Sequence, residues 1–389
     1  MKVFQVENRY RQISGGIEVV VDQTIELLRK NGIETKLIEK SSIGLDVKLK
    51  GKRKALINGF YSLSSFKLMT ELIKNERPDI VHVHNLYPLF SPSILVACKK
   101  ARVPVVLTCH SFYFVCPTTF HFRDGNICEL CCGNKEYWCI LKNCRHDIFE
   151  STAYALRTMF ARKLRLFKNN VTLFIALTEF SKTRLVNAGF DENKIAIVPN
   201  AINMQHRSIS TIEKNYIAFA GRLSPEKGVD ILLAAAAKLS HIPVKIAGGG
   251  PSEMELKNIA PKNVEFLGLL GHEQLNSFYC KARFLVFPSI CFEMFPMVIL
   301  EAMKHRLPVI ASRIGGLMEI VDDGITGLLF EPGSVEDLVK KMNFLWSNQK
   351  LCDEIGEAAN TKLRDSYTSA AYFKNLMSVY KKAILINSS

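Results

Sequence analysis

Glu293 and Glu301 stand with seven residues between them, around Phe295-Pro296-Met297. The run Phe284–Pro288 just before them is apolar and strand-like. A helix is predicted from about Pro296, since proline is preorganised for the first helical position. Glu293 then lies in the loop, and Glu301 nearly two turns into the helix. Both can look toward the helix N-terminus, where free amides attract an anion. A carboxylate in such a loop can accept sugar-type hydroxyls, and one on the helix can accept both hydroxyls of a ribose. A solvated Glu and a capping Glu are the alternative.

Gly221-Arg222-Leu223-Ser224-Pro225-Glu226-Lys227-Gly228 follows another apolar strand. Arg222 as a fork and Lys227 as a point charge, both at a strand's carboxyl end, can neutralise a diphosphate. Two solvated surface cations are the alternative. Gly15-Gly16 sits between the first strand and the first helix, where the backbone can come close to a ligand and aim amides at an anion. It also suits an ordinary loop. His110 ends a strand in Thr108-Cys109-His110 and, taken alone, reads as a packed or hydrogen-bonded histidine. His82 and His84 alternate along a strand and read as structural.

Six of the 11 cysteines fall between positions 116 and 144. Cys128-Glu129-Leu130-Cys131 has the two-residue spacing of a zinc knuckle, and Cys116 and Cys144 could complete a tetrahedral site. The second half has no matching Cys-x-x-Cys, so buried apolar thiols in an insertion are the competing reading. Two basic segments stand out. Lys48, Lys50, Lys52, Arg53 and Lys54 form one. Arg157, Arg162, Lys163, Arg165 and Lys168 form the other, interleaved with Tyr154, Met159, Phe160, Leu164 and Phe167. Cations beside apolar residues suit an anionic membrane surface. A solvated helix face over a core is the alternative.

These residues need elements to hold them. Strands are predicted around Val3–Val6, Ile33–Ile38, Ile80–Val83, Val105–Thr108 and Leu173–Leu177, with helical segments between. Helical spacing of Ile17, Val20, Val21, Thr24, Ile25 and Leu28 marks the first helix, and Asn31-Gly32 ends it. The alternation breaks at about 110–146 and again at Val198-Pro199-Asn200-Ala201. A second run follows: Tyr216–Ala220, Val244–Ala247, Val264–Leu267, Phe284–Phe287 and Pro308–Ala311. Ser334 and Asp337 read as a capping box opening a helix at 335–346, and a last helix runs from Ala370 to about Ile384. Strands alternating with helices predict parallel sheets covered on both faces, in two successive α/β units with the boundary near 200–215. Ligands are expected at the carboxyl ends of the strands and between the domains.

With 389 residues, 48% hydrophobic and 23% charged, the chain has room for two cored domains. This composition excludes a disordered, collagen-like or disulfide-stapled chain. No stretch of about 18 uncharged apolar residues predicts a membrane span. The N-terminus lacks a signal-peptide pattern, so a cytoplasmic location with reduced thiols is expected. Lys+Arg 51 against Asp+Glu 37 gives +14, which favours anionic partners without choosing among them.

Taken in order, Gly15-Gly16-Ile17-Glu18, Gly221-Arg222 with Glu226-Lys227-Gly228, and Glu293 with Glu301 resemble glycosyltransferase family four. Val198-Pro199-Asn200 is similar to the family's linker. Pro308-Val309-Ile310-Ala311-Ser312, Gly315-Gly316, Glu319 and Gly324-Ile325-Thr326-Gly327-Leu328-Leu329-Phe330 are similar to its second domain. The resemblance covers nearly the whole chain and is strongest over 216–335. Departures are Pro296 where many members have Gly, Ala201 in the linker, and His305-Arg306-Leu307 before Pro308. None removes a charged site residue.

The resemblance implies a GT-B fold: two Rossmann-like doubly wound domains facing across a cleft. It implies an acceptor-binding domain over 1–203, a nucleotide-sugar domain over 204–369, and a helix at 370–389 packing back on the first. It implies transfer with retained configuration from a UDP- or GDP-sugar to a growing surface polysaccharide or lipid-linked oligosaccharide, with no cofactor required. Arg222 and Lys227 would hold the donor diphosphate, Glu301 the ribose, and Glu293 the transferred sugar. Amides near Phe295, Pro296 and Met297 would contact that sugar, Gly16 would approach the diphosphate, and His110 would lie beside the sugar. The absence of any Asp-x-Asp argues for cations in place of a metal ion. Peripheral contact with the inner face of an anionic cytoplasmic membrane would suit a lipid-linked acceptor. Competing readings are a GT-B sugar-nucleotide epimerase or hydrolase, and a basic nucleic-acid-binding protein. The latter lacks any recognisable module, and no nucleic-acid partner is expected.

Overall fold

The computed structural model describes residues 1–9, 16–41, 59–204 and 214–388. Fourteen strands occur among them, and the twelve in the two large sheets pair in parallel. In chain order they are β1 (Lys2–Arg9), β2 (Glu34–Ser41), β3 (Ile80–Val83), β4 (Val105–Thr108), β5 (Phe122–Arg123), β6 (Asn126–Ile127), β7 (Leu173–Ala176), β8 (Ile195–Ile197), β9 (Tyr216–Ala220), β10 (Val244–Ala247), β11 (Val264–Gly268), β12 (Ala282–Phe287), β13 (Val309–Ser312) and β14 (Gly327–Phe330). Contacts divide the chain into two compact units. One comprises Met1–His121, Cys128–Asn200 and Ala370–Ser389; the other comprises Phe122–Ile127 and Ala201–Ser369.

The sheet of the first unit has the order β2-β1-β3-β4-β7-β8. Its central strands are apolar on both faces: Val3, Phe4 and Val6, Ile80, Val81 and Val83, and Val105, Val106 and Leu107 are all buried. That is the pattern of a parallel sheet sandwiched by helices. Helix Gly16–Lys30 buries the Val20, Val21, Thr24, Ile25, Leu28 stripe, as its spacing predicts. Polar residues also enter this core, among them Gln5, His82 and His84.

The sheet of the second unit has the order β11-β10-β9-β12-β13-β14. The core is built from Ile217, Phe219, Leu232, Ile246, Phe284 and Val286 of strands and helix together. Strand order reverses between β9 and β12, and in the first sheet between β1 and β3. At such a switch point, loops leaving the carboxyl ends of neighbouring strands diverge and leave room for a ligand.

Local differences from expectation have local causes. Helix Val335–Ser347 begins at Ser334, whose side chain accepts the Asp337 amide. Asp337 does not return the bond to Ser334; its carboxylate accepts the Glu331 amide at 2.8 Å, so the cap is one-sided. The helix expected from Pro296 begins at Met297, with Pro296 in the capping position just outside it. The last helix runs Ser369–Ser388.

Candidate active site

Lys227 and Glu293 leave the two strands that flank the switch point of the second sheet, β9 and β12. Lys227 ends a single turn of 3-10 helix, Pro225–Lys227, and its Nζ donates to Glu293 Oε1 at 2.6 Å. Ser289 Oγ donates to the same Glu293 oxygen at 2.6 Å. The ammonium also lies 5.6 Å from the Phe287 ring centroid, over its face. Burial works against the Lys227 charge, but Glu293, Cys291 and Glu226 outweigh it and hold the pKa above the ordinary lysine value. The loops are tied to one another through backbone: Ile290 N–H donates to the Glu226 carbonyl, and Ser289 Oγ lies 3.1 Å from the same oxygen. Residue types predicted here thus come together, but as a direct ion pair that spacing alone did not announce.

Glycine explains how the two loops can come so close. Gly228 has φ 63°, and a Cβ added there would stand 2.1 Å from the Pro288 carbonyl oxygen. The same logic reveals a seam that the sequence reading passed over. Gly248, at φ 141°, would place a Cβ 1.8 Å from the Gly221 carbonyl oxygen. The backbone after β10 is therefore packed against the turn that carries Arg222. Three consecutive glycines after a strand were the available signal. Arg222 itself is exposed.

Glu301 sits in helix Met297–Lys304, and its Oε2 accepts the Tyr279 hydroxyl at 2.7 Å. Burial raises the Glu301 pKa, and the Tyr279 bond offsets part of that rise. Tyr279 was not anticipated; it belongs to helix His272–Lys281 and is fully buried. Phe295 is buried with its ring edge-on to Tyr367, centroids 5.4 Å apart. That anchor fixes the chain just ahead of Pro296 and Met297, where the helix presents its first unpaired amides.

In the first unit, His110 follows β4 and is half-buried. Its Nε2 is 3.0 Å from His84 Nδ1. Burial holds His110 down to about 4 and His82 to about 3, so both rings are neutral near pH 7. His82 and His84 are buried and hydrogen-bonded, and His84 is connected directly to the candidate residue. Gly16 is exposed and opens helix Gly16–Lys30. Gly15 lies outside the described residues, as does the basic run from Lys48 to Lys54.

The structure does not support the four-cysteine zinc site. Among the described residues, the ligand atoms of His121, Glu129 and Cys132 are the group gathered within 4.8 Å of one another; Cys116, Cys128, Cys131 and Cys144 are not. Glu129 is engaged by Arg184, and His121 Nδ1 is 3.1 Å from the Cys128 carbonyl. Cys131 and Cys139 instead pack with Ala155 in a small apolar nucleus against Trp138, Ile140 and Cys144. Burial first, then the neighbouring thiols, push Cys131 up to about 12, so it is a protonated apolar group.

The basic helix also differs from a solvated face. The Arg157 guanidinium is buried between the rings of Tyr87 and Tyr154, at 4.0 and 4.6 Å from their centroids. Arg162 makes two bonds to Glu136, at 2.5 and 3.0 Å. Lys163, Leu164 and Arg165 are exposed at the end of helix Ile148–Lys163, which also exposes Phe149 and Leu156 further back. No helix among the described residues is long and apolar enough to cross a membrane.

The family model described as Glycosyltransferase Family 4 matches residues 14–206, and that described as Glycosyl transferases group 1 matches residues 203–362. An uncharacterized glycosyltransferase of Methanocaldococcus jannaschii is 29% identical over 304 residues, 76% of this chain and 74% of that protein. The O-antigen chain mannosyltransferase C of Escherichia coli is 32% identical over 193 residues, 46% of this chain and 52% of that one. Among solved structures, Anabaena HepE in complex with UDP and glucose superposes with a TM-score of 0.69 at 19% identity, covering 98% of this chain and 99% of that one. The two doubly wound parallel sheets are those of the GT-B fold. Matched in succession by the two family models across almost its whole length, the chain belongs to the glycosyltransferases of family four.

Proposed function

We propose that this glycosyltransferase works with retention of configuration and without a metal ion. It takes a sugar from a UDP- or GDP-sugar and places it on a surface polysaccharide or lipid-linked oligosaccharide. The Lys227–Glu293 pair carries the reading. In the free protein each group neutralises the other, so a half-buried cation is kept ready at modest cost. When a diphosphate enters, Lys227 turns to the phosphate oxygens. Glu293, still steadied by Ser289, takes a hydroxyl of the transferred sugar. Departure of the nucleoside diphosphate concentrates negative charge on those oxygens, which is where a preorganised cation stabilises the transition state most. Arg222 adds a fork for the phosphates. Glu301 accepts the ribose hydroxyls, the amides near Phe295, Pro296 and Met297 contact the sugar, Gly16 approaches a phosphate, and His110 meets a sugar hydroxyl.

Cationic side chains take the part a divalent ion plays in transferases with an Asp-x-Asp pair, which this chain lacks. Retention follows a front-face path, in which the departing phosphate oxygen takes the acceptor's proton. In this reading residues 204–369 bind the donor and 1–203 the acceptor. The UDP and glucose held by Anabaena HepE support the donor class, and the E. coli O-antigen chain mannosyltransferase supports the acceptor class. The exposed Leu164 between the exposed Lys163 and Arg165 supports contact with the inner face of an anionic membrane.

The test is a thermal-shift screen against a panel of nucleotide sugars, followed by transfer assays on Lys227→Ala and Glu293→Ala with and without added chelator. A UDP- or GDP-sugar should raise the melting point. Each variant should keep its fold and lose roughly 10²–10³ in rate, as when one transition-state donor is removed. Near-normal turnover by both variants, an inverted product, or loss of activity to the chelator would overturn the corresponding part.

A further inference from the structure

Six side chains of the first unit form one unbranched hydrogen-bonded chain: His110, His84, Gln5, Tyr380, His82 and Thr108. His110 Nε2 is 3.0 Å from His84 Nδ1, and His84 Nε2 is 2.8 Å from Gln5 Oε1. Gln5 Nε2 is 3.1 Å from the Tyr380 hydroxyl oxygen. That oxygen is 2.7 Å from His82 Nδ1, and His82 Nε2 is 2.7 Å from Thr108 Oγ1. Gln5, His82, His84, Thr108 and Tyr380 are all buried.

Each imidazole is neutral here, because burial disfavours the charged form of all three. A neutral imidazole has one N–H and one bare lone pair, so each bond in the chain dictates the next. The Gln5 carbonyl oxygen can only accept; His84 Nε2 therefore carries the hydrogen. His84 Nδ1 is then a lone pair, and His110 Nε2 must donate to it. That leaves His110 Nδ1 bare. On the other side, the Gln5 amide nitrogen can only donate. The Tyr380 oxygen accepts it and gives its own hydrogen to His82 Nδ1, and His82 Nε2–H passes to Thr108. All five bonds run one way. Of the six groups, Gln5 is the one whose two ends have fixed chemistry; its amide turned over would reverse every bond and put the hydrogen on His110 Nδ1.

We propose that Gln5, acting through His84 and held by Tyr380, keeps His110 in the tautomer with a bare Nδ1, so that His110 accepts a hydrogen bond from a substrate hydroxyl instead of donating one. Gln5, His84 and Tyr380 are positioning residues. The contact with substrate rests on the reading of His110 in the preceding subsection; the tautomer does not.

Long-range ¹H–¹⁵N correlation spectra of the full chain, ¹⁵N-labelled at histidine, read the tautomer directly at neutral pH, with His110→Gln assigning the signal. His110 should show a hydrogen-free Nδ1 and a protonated Nε2. The reverse pattern would overturn the proposal. Gln5→Met removes the fixed ends, and Tyr380→Phe frees the amide while keeping the shape. Each should give His110 a mixture of tautomers and lower kcat/KM by roughly threefold to tenfold, the worth of one neutral hydrogen bond. A merely structural role would lower the melting point and leave the tautomer single, and that result in both variants would also overturn it. If His110 shows the expected tautomer but His110→Gln transfers sugar normally, the substrate contact fails and the tautomer stands.

Discussion

The Tyr279 hydroxyl donates to Glu301 Oε2 at 2.7 Å, joining two helices of the second unit through a partly buried bond. The carboxylate is pushed up by burial and partly brought back by this bond. Tyr279→Phe should therefore raise the Glu301 pKa further. A ribose-binding role requires the ionised form, which accepts hydroxyl hydrogens. Nucleotide affinity should fall roughly threefold to tenfold at neutral pH, and fall more in mildly acidic buffer than in mildly alkaline buffer. Titration calorimetry with UDP and GDP across pH checks both. Equal losses at every pH would separate Glu301 from the nucleotide.

Gly228→Ala tests the seam between the Lys227 and Glu293 loops. Its φ of 63° and the 2.1 Å approach to the Pro288 carbonyl make alanine costly twice over. The backbone strain and the forced displacement should together cost roughly 3 kcal/mol. Because the carbonyl cannot yield without moving Ser289, transfer should fall further than the lost stability explains. Denaturant melts and transfer rates on the same preparation separate the effects. A variant as stable and as active as the parent would mean that the loops tolerate wider spacing.

Glu7 predicts a pH dependence of stability. It is fully buried at the carboxyl-terminal half of β1, and neither carboxyl oxygen has a hydrogen bond among the described residues. Burial raises its pKa from 4.5 to about 8, with Arg9 opposing and Glu18, Asp22 and Glu39 adding to the rise. The folded chain thus binds this proton more tightly than the unfolded chain. The resulting stability is fully present below about pH 4.5 and is lost as pH rises through about 8. Glu7→Gln should leave the acid side little changed and raise the melting point on the alkaline side. A difference in melting point that does not grow with pH would contradict the assignment.

Much of this architecture was legible in residue order. Strands such as Val105–Thr108 and Tyr216–Ala220 are short apolar runs with sharp polar or turn-forming borders, and they appear where predicted. Ile195–Ile197 was missed because three residues after a polar turn carry no periodicity. Gly327–Phe330 was missed as a strand because it opens on glycine within a loop-like run. For the candidate site, residue types were readable and partners were not. Lys227 and Glu293 are 66 positions apart, and only the strand order brings their loops together. Gln5 alternates with apolar neighbours, so it resembles any outward-facing strand residue until both faces of the sheet prove to be covered. The Cys128–Cys131 spacing suited a metal, yet packing placed Cys131 against hydrocarbon.

The helix at Ser369–Ser388 belongs to the unit that begins at Met1. Besides Tyr380, it supplies Tyr372, whose hydroxyl is 3.0 Å from Thr24 Oγ1. Gln5 and Tyr380 are 375 positions apart, so the buried Gln5 amide nitrogen finds its partner only when distant parts of the chain have closed on one another. The first sheet is therefore sealed by a contact of very high sequence separation, whose loop-closure entropy must be met before the bond rewards it.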